Sequence, residues 1–316
     1  MKPAHLTHRS FQLAVSALLL SACGSAGGGR ERDEVPTPRP SVPSYAAPVN
    51  QVPTDSPTEE QTNEETPIDP GSVDSLLGTA AMGGSGQSSD RWHKTDVTRD
   101  GQNYYLMANG WGPGFGSQSI SWSGTSFTVQ SMTGEQGENY QPASYPTVFC
   151  GLYSDSQSRA CGLPAALDSL TSLRTGWRWN PNGNDGQYNA AYDIWMSNGP
   201  SRNNFSGFLM VWYREPVGQQ PAGALTERAV TVANVDGTWD IWTGQVNSRP
   251  IINWVRAQGE DTLTMEFDIL DFVRDAEARG LTVPGTHVLS VAVGFEIWNG
   301  PVTNLESTDF YVTPEL

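Results

Sequence analysis

The chain has 316 residues, with 34 acidic side chains against 18 basic ones, a formal net charge of −16 and a pI near 4.5. That balance excludes the cationic surface on which nucleic-acid affinity rests and says little against a neutral polymer as partner. The length suits one large β domain or two small ones.

In chain order, the first segment is not fold. Lys2, His8 and Arg9 form a basic start, and Phe11 to Leu20 is an apolar run too short to span a bilayer as a helix. Residues 1–22 therefore read as a cleaved signal peptide. The segment closes on Leu20-Ser21-Ala22-Cys23, which resembles the bacterial lipobox. That resemblance implies a diacylated Cys23 and an exported chain, lipid-anchored to the cell envelope at the outer membrane or cell surface. Residues 23–85 are rich in Gly, Ser, Pro, Thr and Glu and poor in aromatics, so they cannot bury enough apolar surface to offset chain entropy. They are expected to form a flexible tether.

Residues 86–316 differ in composition and hold all eleven tryptophans. Strand signals recur at 104–108, 119–122, 126–130, 176–179, 190–196, 208–213, 229–233, 239–243, 251–255, 262–267 and 288–295, separated by turn residues. One helix is predicted over 269–279, with Ile269, Phe272, Val273 and Ala276 at helical spacing, Asp268 as N-cap and Gly280 as the stop. Many strands with one helix predict an all-β jelly roll, two packed antiparallel sheets with a concave cleft. Cys150 and Cys161 are an even pair in an exported chain and read as a disulfide, with two buried thiols as the alternative. No Cys/His cluster points to a metal, no cofactor is implied, and a monomer is expected.

Aromatic side chains sit beside carboxylates and amides on several strands. Sugar rings stack on Trp and Tyr while their hydroxyls need polar partners, so the pattern suits a carbohydrate cleft; any single Trp is as often plain core. Five stretches, in order, resemble glycoside hydrolase family 12, the small endo-β-1,4-glucanases that include xyloglucanases. They are Asn109-Gly110-Trp111-Gly112; Ser144-Tyr145-Pro146-Thr147-Val148 with the Cys150/Cys161 loop; Tyr188-Asn189-Ala190-Ala191-Tyr192-Asp193-Ile194-Trp195; Leu209-Met210-Val211-Trp212; and Gly294-Phe295-Glu296-Ile297-Trp298.

The resemblance implies retaining hydrolysis by two carboxyls about 5–5.5 Å apart, one a nucleophile and one an acid/base. Glu296 matches the acid/base. Asp193 matches an aspartate that supports the nucleophile. Phe208 stands where the family's Glu-x-Met-x-Trp strand places the nucleophile, and no glutamate lies between Glu138 and Glu215. Asn109, Trp111, Trp195, Met210, Trp212 and Trp298 are the expected substrate contacts. The implied function is recognition of β-1,4-glucan, as polysaccharide or oligosaccharide, with hydrolysis impaired. Two alternatives stand beside it: an active endoglucanase using Glu296 with Asp193 or water, and a module that no longer binds sugar. Removing a like charge lowers the pKa of Glu296 and a phenyl group that excludes water raises it, so the sequence leaves its sign open.

Overall fold

The computed structural model describes residues 75–316 apart from residues 79, 138 and 139. The signal peptide, Cys23 and most of the tether lie outside the described residues. Residues 75–85 are part of the domain, although their composition reads as tether. Polar contacts hold them: the Leu76 N–H donates to Glu266 Oε2 at 3.1 Å, and the Gly78 N–H to Asp309 Oδ2 at 2.7 Å. The domain therefore begins before residue 86.

Twenty strands and one α-helix follow among the described residues. They are β1 (Met82–Gly83), β2 (Ser85–Ser88), β3 (Lys94–Arg99), β4 (Gln102–Met107), β5 (Phe115–Ser123), β6 (Ser126–Gly134), β7 (Thr147–Tyr153), β8 (Ser156–Gln157), β9 (Ala165–Ala166) and β10 (Ser172–Asn180). Then come β11 (Gln187–Tyr188), β12 (Ala190–Ser197), β13 (Phe205–Arg214), β14 (Ala224–Val232), β15 (Val235–Val246), β16 (Arg249–Arg256), β17 (Thr264–Asp268), α1 (Ile269–Ala278), β18 (His287–Gly294), β19 (Ile297–Asn299) and β20 (Leu305–Glu315).

The large sheet runs β1-β3-β4-β7-β18-β12-β13-β16-β15-β14, and the smaller one β17-β10-β20-β6-β5-β2. The pairing departs from all-antiparallel at one place: β13 and β16 are parallel, because the β14–β15 hairpin carries the chain out to the sheet edge and back. The edge strand β14 is interrupted by three register shifts, which blunts it against pairing with another chain.

Strand period decides which side is core. Tyr192, Ile194 and Met196 of β12 and Leu209, Val211 and Tyr213 of β13 are fully buried between the sheets, against Trp177 and Phe310 of the smaller one. The alternate residues Ala191, Asp193 and Trp195, and Phe208, Met210 and Trp212, fall on the opposite, open face of the large sheet. The Cys150–Cys161 disulfide is formed.

The helix matches its sequence signals. The Asp268 carboxylate accepts from the Leu270 N–H at 2.9 Å, Gly280 has φ +72°, and the Leu281 N–H closes on the Ala276 carbonyl. The same Asp268 oxygen accepts from the Leu173 N–H at 3.0 Å on β10, tying the helix start to the sheet. Asp268→Ala is expected to cost about 1–2 kcal/mol, from a lost cap together with an unpaired strand N–H. Urea denaturation checks this through a lower midpoint at unchanged slope.

Candidate active site

The open face is built on β12, which pairs with β13 on one side and β18 on the other. Asp193 lies opposite Met210 of β13 and Ala292 of β18, and Trp195 lies opposite Phe208. Glu296 follows the end of β18. Its approach depends on Gly294, where a Cβ would meet the Pro146 carbonyl oxygen at 2.2 Å. At the neighbouring entry, Gly112 leaves room for the chain at Pro142, whose carbonyl would lie 2.1 Å from a Cβ. Asn109, with φ +48°, turns the chain between β4 and Trp111, and its carbonyl accepts from the Tyr145 N–H at 3.0 Å.

Each of the two carboxyls is fixed by its own partners. Asp193 Oδ2 accepts from the Tyr153 hydroxyl and from the Trp195 indole N–H, both at 2.9 Å. Its Oδ1 has no donor among the described residues, since Met210 opposite and Phe208 one step along carry none. Burial pushes the Asp193 carboxyl up to about 6 against the pull of those two donors. Glu296 is gripped by the fully buried Asn189. The Asn189 amide donates to Glu296 Oε2 at 2.6 Å, its Oδ1 accepts from the Glu296 N–H at 2.8 Å, and its own N–H donates to the Glu296 carbonyl at 3.0 Å. Burial raises Glu296 to about 7, the Asn189 bond opposes this, and the Asp193 charge adds to it. Water exclusion thus decides the sign that the sequence left open.

Phe208 occupies the middle of this face without a polar atom. It meets Trp195 edge-on at 5.9 Å and Phe205 at 5.0 Å between ring centroids. Trp195 is covered on both sides, by Phe205 at 4.5 Å and by Tyr153 at 4.6 Å, and its N–H is committed to Asp193. It holds Asp193 in place. Trp212 and Trp298 lie 6.0 Å apart and are 1% and 4% exposed, and Met210 is buried with them. These three form a small apolar floor. Trp111 and Trp242 are half-buried at the margins, with no ring contact among the described residues. Among the described residues no three His, Cys, Asp or Glu side chains converge as a metal ion would need.

The sequence profile of glycosyl hydrolase family 12 matches residues 102–313. The chain belongs to glycosyl hydrolase family 12. An endoglucanase of Rhodothermus marinus shares 32% identity at a TM-score of 0.64, over 73% of this chain and 99% of that one. Endoglucanase S of Pectobacterium parmentieri is 26% identical over 243 residues, covering 71% of this chain and 86% of its own. A probable xyloglucan-specific endo-β-1,4-glucanase of Aspergillus terreus is 23% identical over 225 residues, covering 67% and 82%.

Within this family 12 fold, several residues that shape the site were not singled out in the sequence. Asn189 stands inside a motif that drew attention to Asp193, so its grip on Glu296 was hidden. Tyr153 ends a strand that is apolar after Thr147, where a buried phenol hydroxyl needs a partner; that was the available signal. Phe205 carried none beyond aromatic character.

A carboxyl that ionises near pH 7 when folded and near 4.5 when unfolded binds more protons in the folded state across that window. Stability is therefore expected to fall as pH rises through it. Glu296→Gln keeps an oxygen for the Asn189 amide and removes the titration. The variant should gain melting temperature relative to wild type at pH 8 and little or none at pH 4, as read by calorimetry. An equal difference at both pH values would show that Glu296 does not titrate high.

Proposed function

We propose that this family 12 protein binds a β-1,4-linked glucan of the cellulose or xyloglucan type on the open face of its large sheet, and hydrolyses it poorly or not at all. The observation that carries the reading is Phe208, which faces that surface beside Trp195 where retaining chemistry needs a second carboxylate. A retaining hydrolase must form a glycosyl-enzyme bond before water releases the sugar. A phenyl group cannot form that bond. The acid half of the pair persists, since Glu296 at about 7 is largely protonated in mildly acidic to neutral solution, as a proton donor requires. The names of the relatives, endoglucanases and xyloglucan-specific glucanases, supply the ligand class. Trp111 and Trp242, with ring faces unclaimed by other aromatics, are the stacking platforms in this reading.

A second reading keeps hydrolysis. Asp193 and Glu296 are raised to about 6 and about 7, so near pH 6.5 one can be ionised while the other still holds its proton. An inverting reaction would use Asp193 as base, at a carboxyl separation of about 6.5–9.5 Å. Against it, Asp193 Oδ2 is taken by two donors and the residue is only 9% exposed. For the rest of the chain, the proposal places the domain outside the cell, held to the envelope through lipid on Cys23, with residues 24 to about 74 as the tether.

Sugar release from carboxymethyl-cellulose and xyloglucan is the first measurement. Wild type is expected to be inert and Phe208→Glu to gain activity that Glu296→Ala abolishes. Activity in wild type that is lost in Asp193→Asn would instead establish the inverting reading. Binding is expected to weaken about 3- to 10-fold in Trp111→Ala and in Trp242→Ala, in proportion to about 0.5–1.5 kcal/mol per aromatic contact. Calorimetric titration with cello- and xylogluco-oligosaccharides measures it, and binding unaffected by both changes would refute the stacking role.

A further inference from the structure

The end of the open face farthest from Glu296 has its own chemistry. Three stretches meet there: residues 197–207, 245–251 and 282–288. Ser197 pairs with Phe205 and with His287, the Thr286 N–H donates to the Ser197 carbonyl at 2.8 Å, and Phe208 pairs with Ile251. In a chain of net charge −16, these stretches carry Arg202, Arg249 and His287 and no Asp or Glu.

Both arginines are positioned by neutral partners. The Arg249 guanidinium lies 4.8 Å from the centre of the Phe205 ring, and its Nε–H donates to the Phe205 carbonyl at 3.3 Å. Its two Nη atoms have no acceptor among the described residues. Arg202, three residues before Phe205, donates from Nη2 to the Ser156 carbonyl at 3.4 Å. Neither forms an ion pair with a carboxylate among the described residues. The Phe205 ring is itself fixed by stacking on Trp195, so Arg249 rests on a rigid aromatic column that begins at Asp193.

We propose that this end of the face binds a carboxylate-bearing sugar, an acidic unit of the glucan chain. The inference rests on the glucan reading and adds the charge of the ligand. A guanidinium on an aromatic ring is partly dehydrated and pre-oriented, and its free N–H fork matches a carboxylate in two-point contact. Glu296 lies at the opposite end and Asp193 midway along the face, and both repel an acidic unit once ionised. The face is therefore polarised, and an acidic sugar is accepted at the Phe205 end and refused beside Glu296.

The test is calorimetric titration of the full chain with cellohexaose and with cellohexaose oxidised at C6 to carry carboxylates, at 50 mM and 500 mM NaCl. The acidic ligand is expected to bind about tenfold tighter at low salt, the scale of one hydrogen-bonded charge contact. The preference should shrink at high salt. The ratio of the two affinities should fall several-fold toward one in Arg249→Gln and in Arg202→Gln. A general loosening of the fold cancels in that ratio, and Arg202 lies outside the aromatic column, so the pair separates charge recognition from support of Phe205. Equal affinities in wild type, or a ratio kept in both variants, would overturn this inference and leave the glucan reading intact. Binding of neither ligand would overturn both.

Discussion

The pairing of β12 with β13 on one side and β18 on the other is the constraint from which the site follows. A strand alternates its side chains, so one register assigns Tyr192, Ile194 and Met196 to the core and Ala191, Asp193 and Trp195 to the open face. The same register brings Phe208, Met210 and Trp212 beside them and delivers the chain to Glu296 at the end of β18. A slip of one residue would bury Asp193 among aromatic rings and expose Ile194, at the cost of a desolvated charge and lost apolar burial. Core and site are thus specified by the same hydrogen bonds.

On that frame, an apolar side chain at Phe208 sets the physics of its surroundings. An ionised neighbour would have raised Glu296 by repulsion. Here burial performs the greater part of the same task, with Asp193 contributing the charge that remains. The aromatic group also closes a column, Tyr153, Trp195, Phe205 and Arg249, in which each ring supports the next. The column engages Trp195, and in the proposed reading stacking falls to Trp111 and Trp242 at the margins. It also leaves Asp193 Oδ1 facing groups that cannot donate to it.

Much of this was legible in the sequence, for identifiable reasons. Strands β12 and β13 and the helix from Ile269 follow from period-two and period-3.6 patterns with Asp268 and Gly280 as punctuation, whereas β3 and β7 of the same sheet were not foreseen. Glu296 and Asp193 stood in motifs whose residue types state their chemistry. What the sequence withheld depends on distance across strands. The grip of Asn189 on Glu296 joins residues 107 positions apart, and the cover over Trp195 comes from two different strands. The start of the domain was misplaced for another reason. Among the described residues of 75–85 only Leu77 is fully buried, and the stretch is otherwise held by strand pairing and by the carboxylates of Glu266 and Asp309, which composition does not report.

Two carboxyls held high on the pH scale are a continuing cost to a folded protein, since each ionises less readily than in water. Asn189 bonded to both the main chain and the side chain of Glu296, and Tyr153 with Trp195 on Asp193, keep those carboxyls in fixed geometry. In the proposed reading this order does not serve a covalent step. It still presents a directional pair of hydrogen-bonding groups above an apolar floor of Met210, Trp212 and Trp298, the combination of polar points and flat carbon that a sugar ring requires. The proposed recognition surface then has carboxyls at one end and arginines beside an aromatic column at the other, with Phe208 between them.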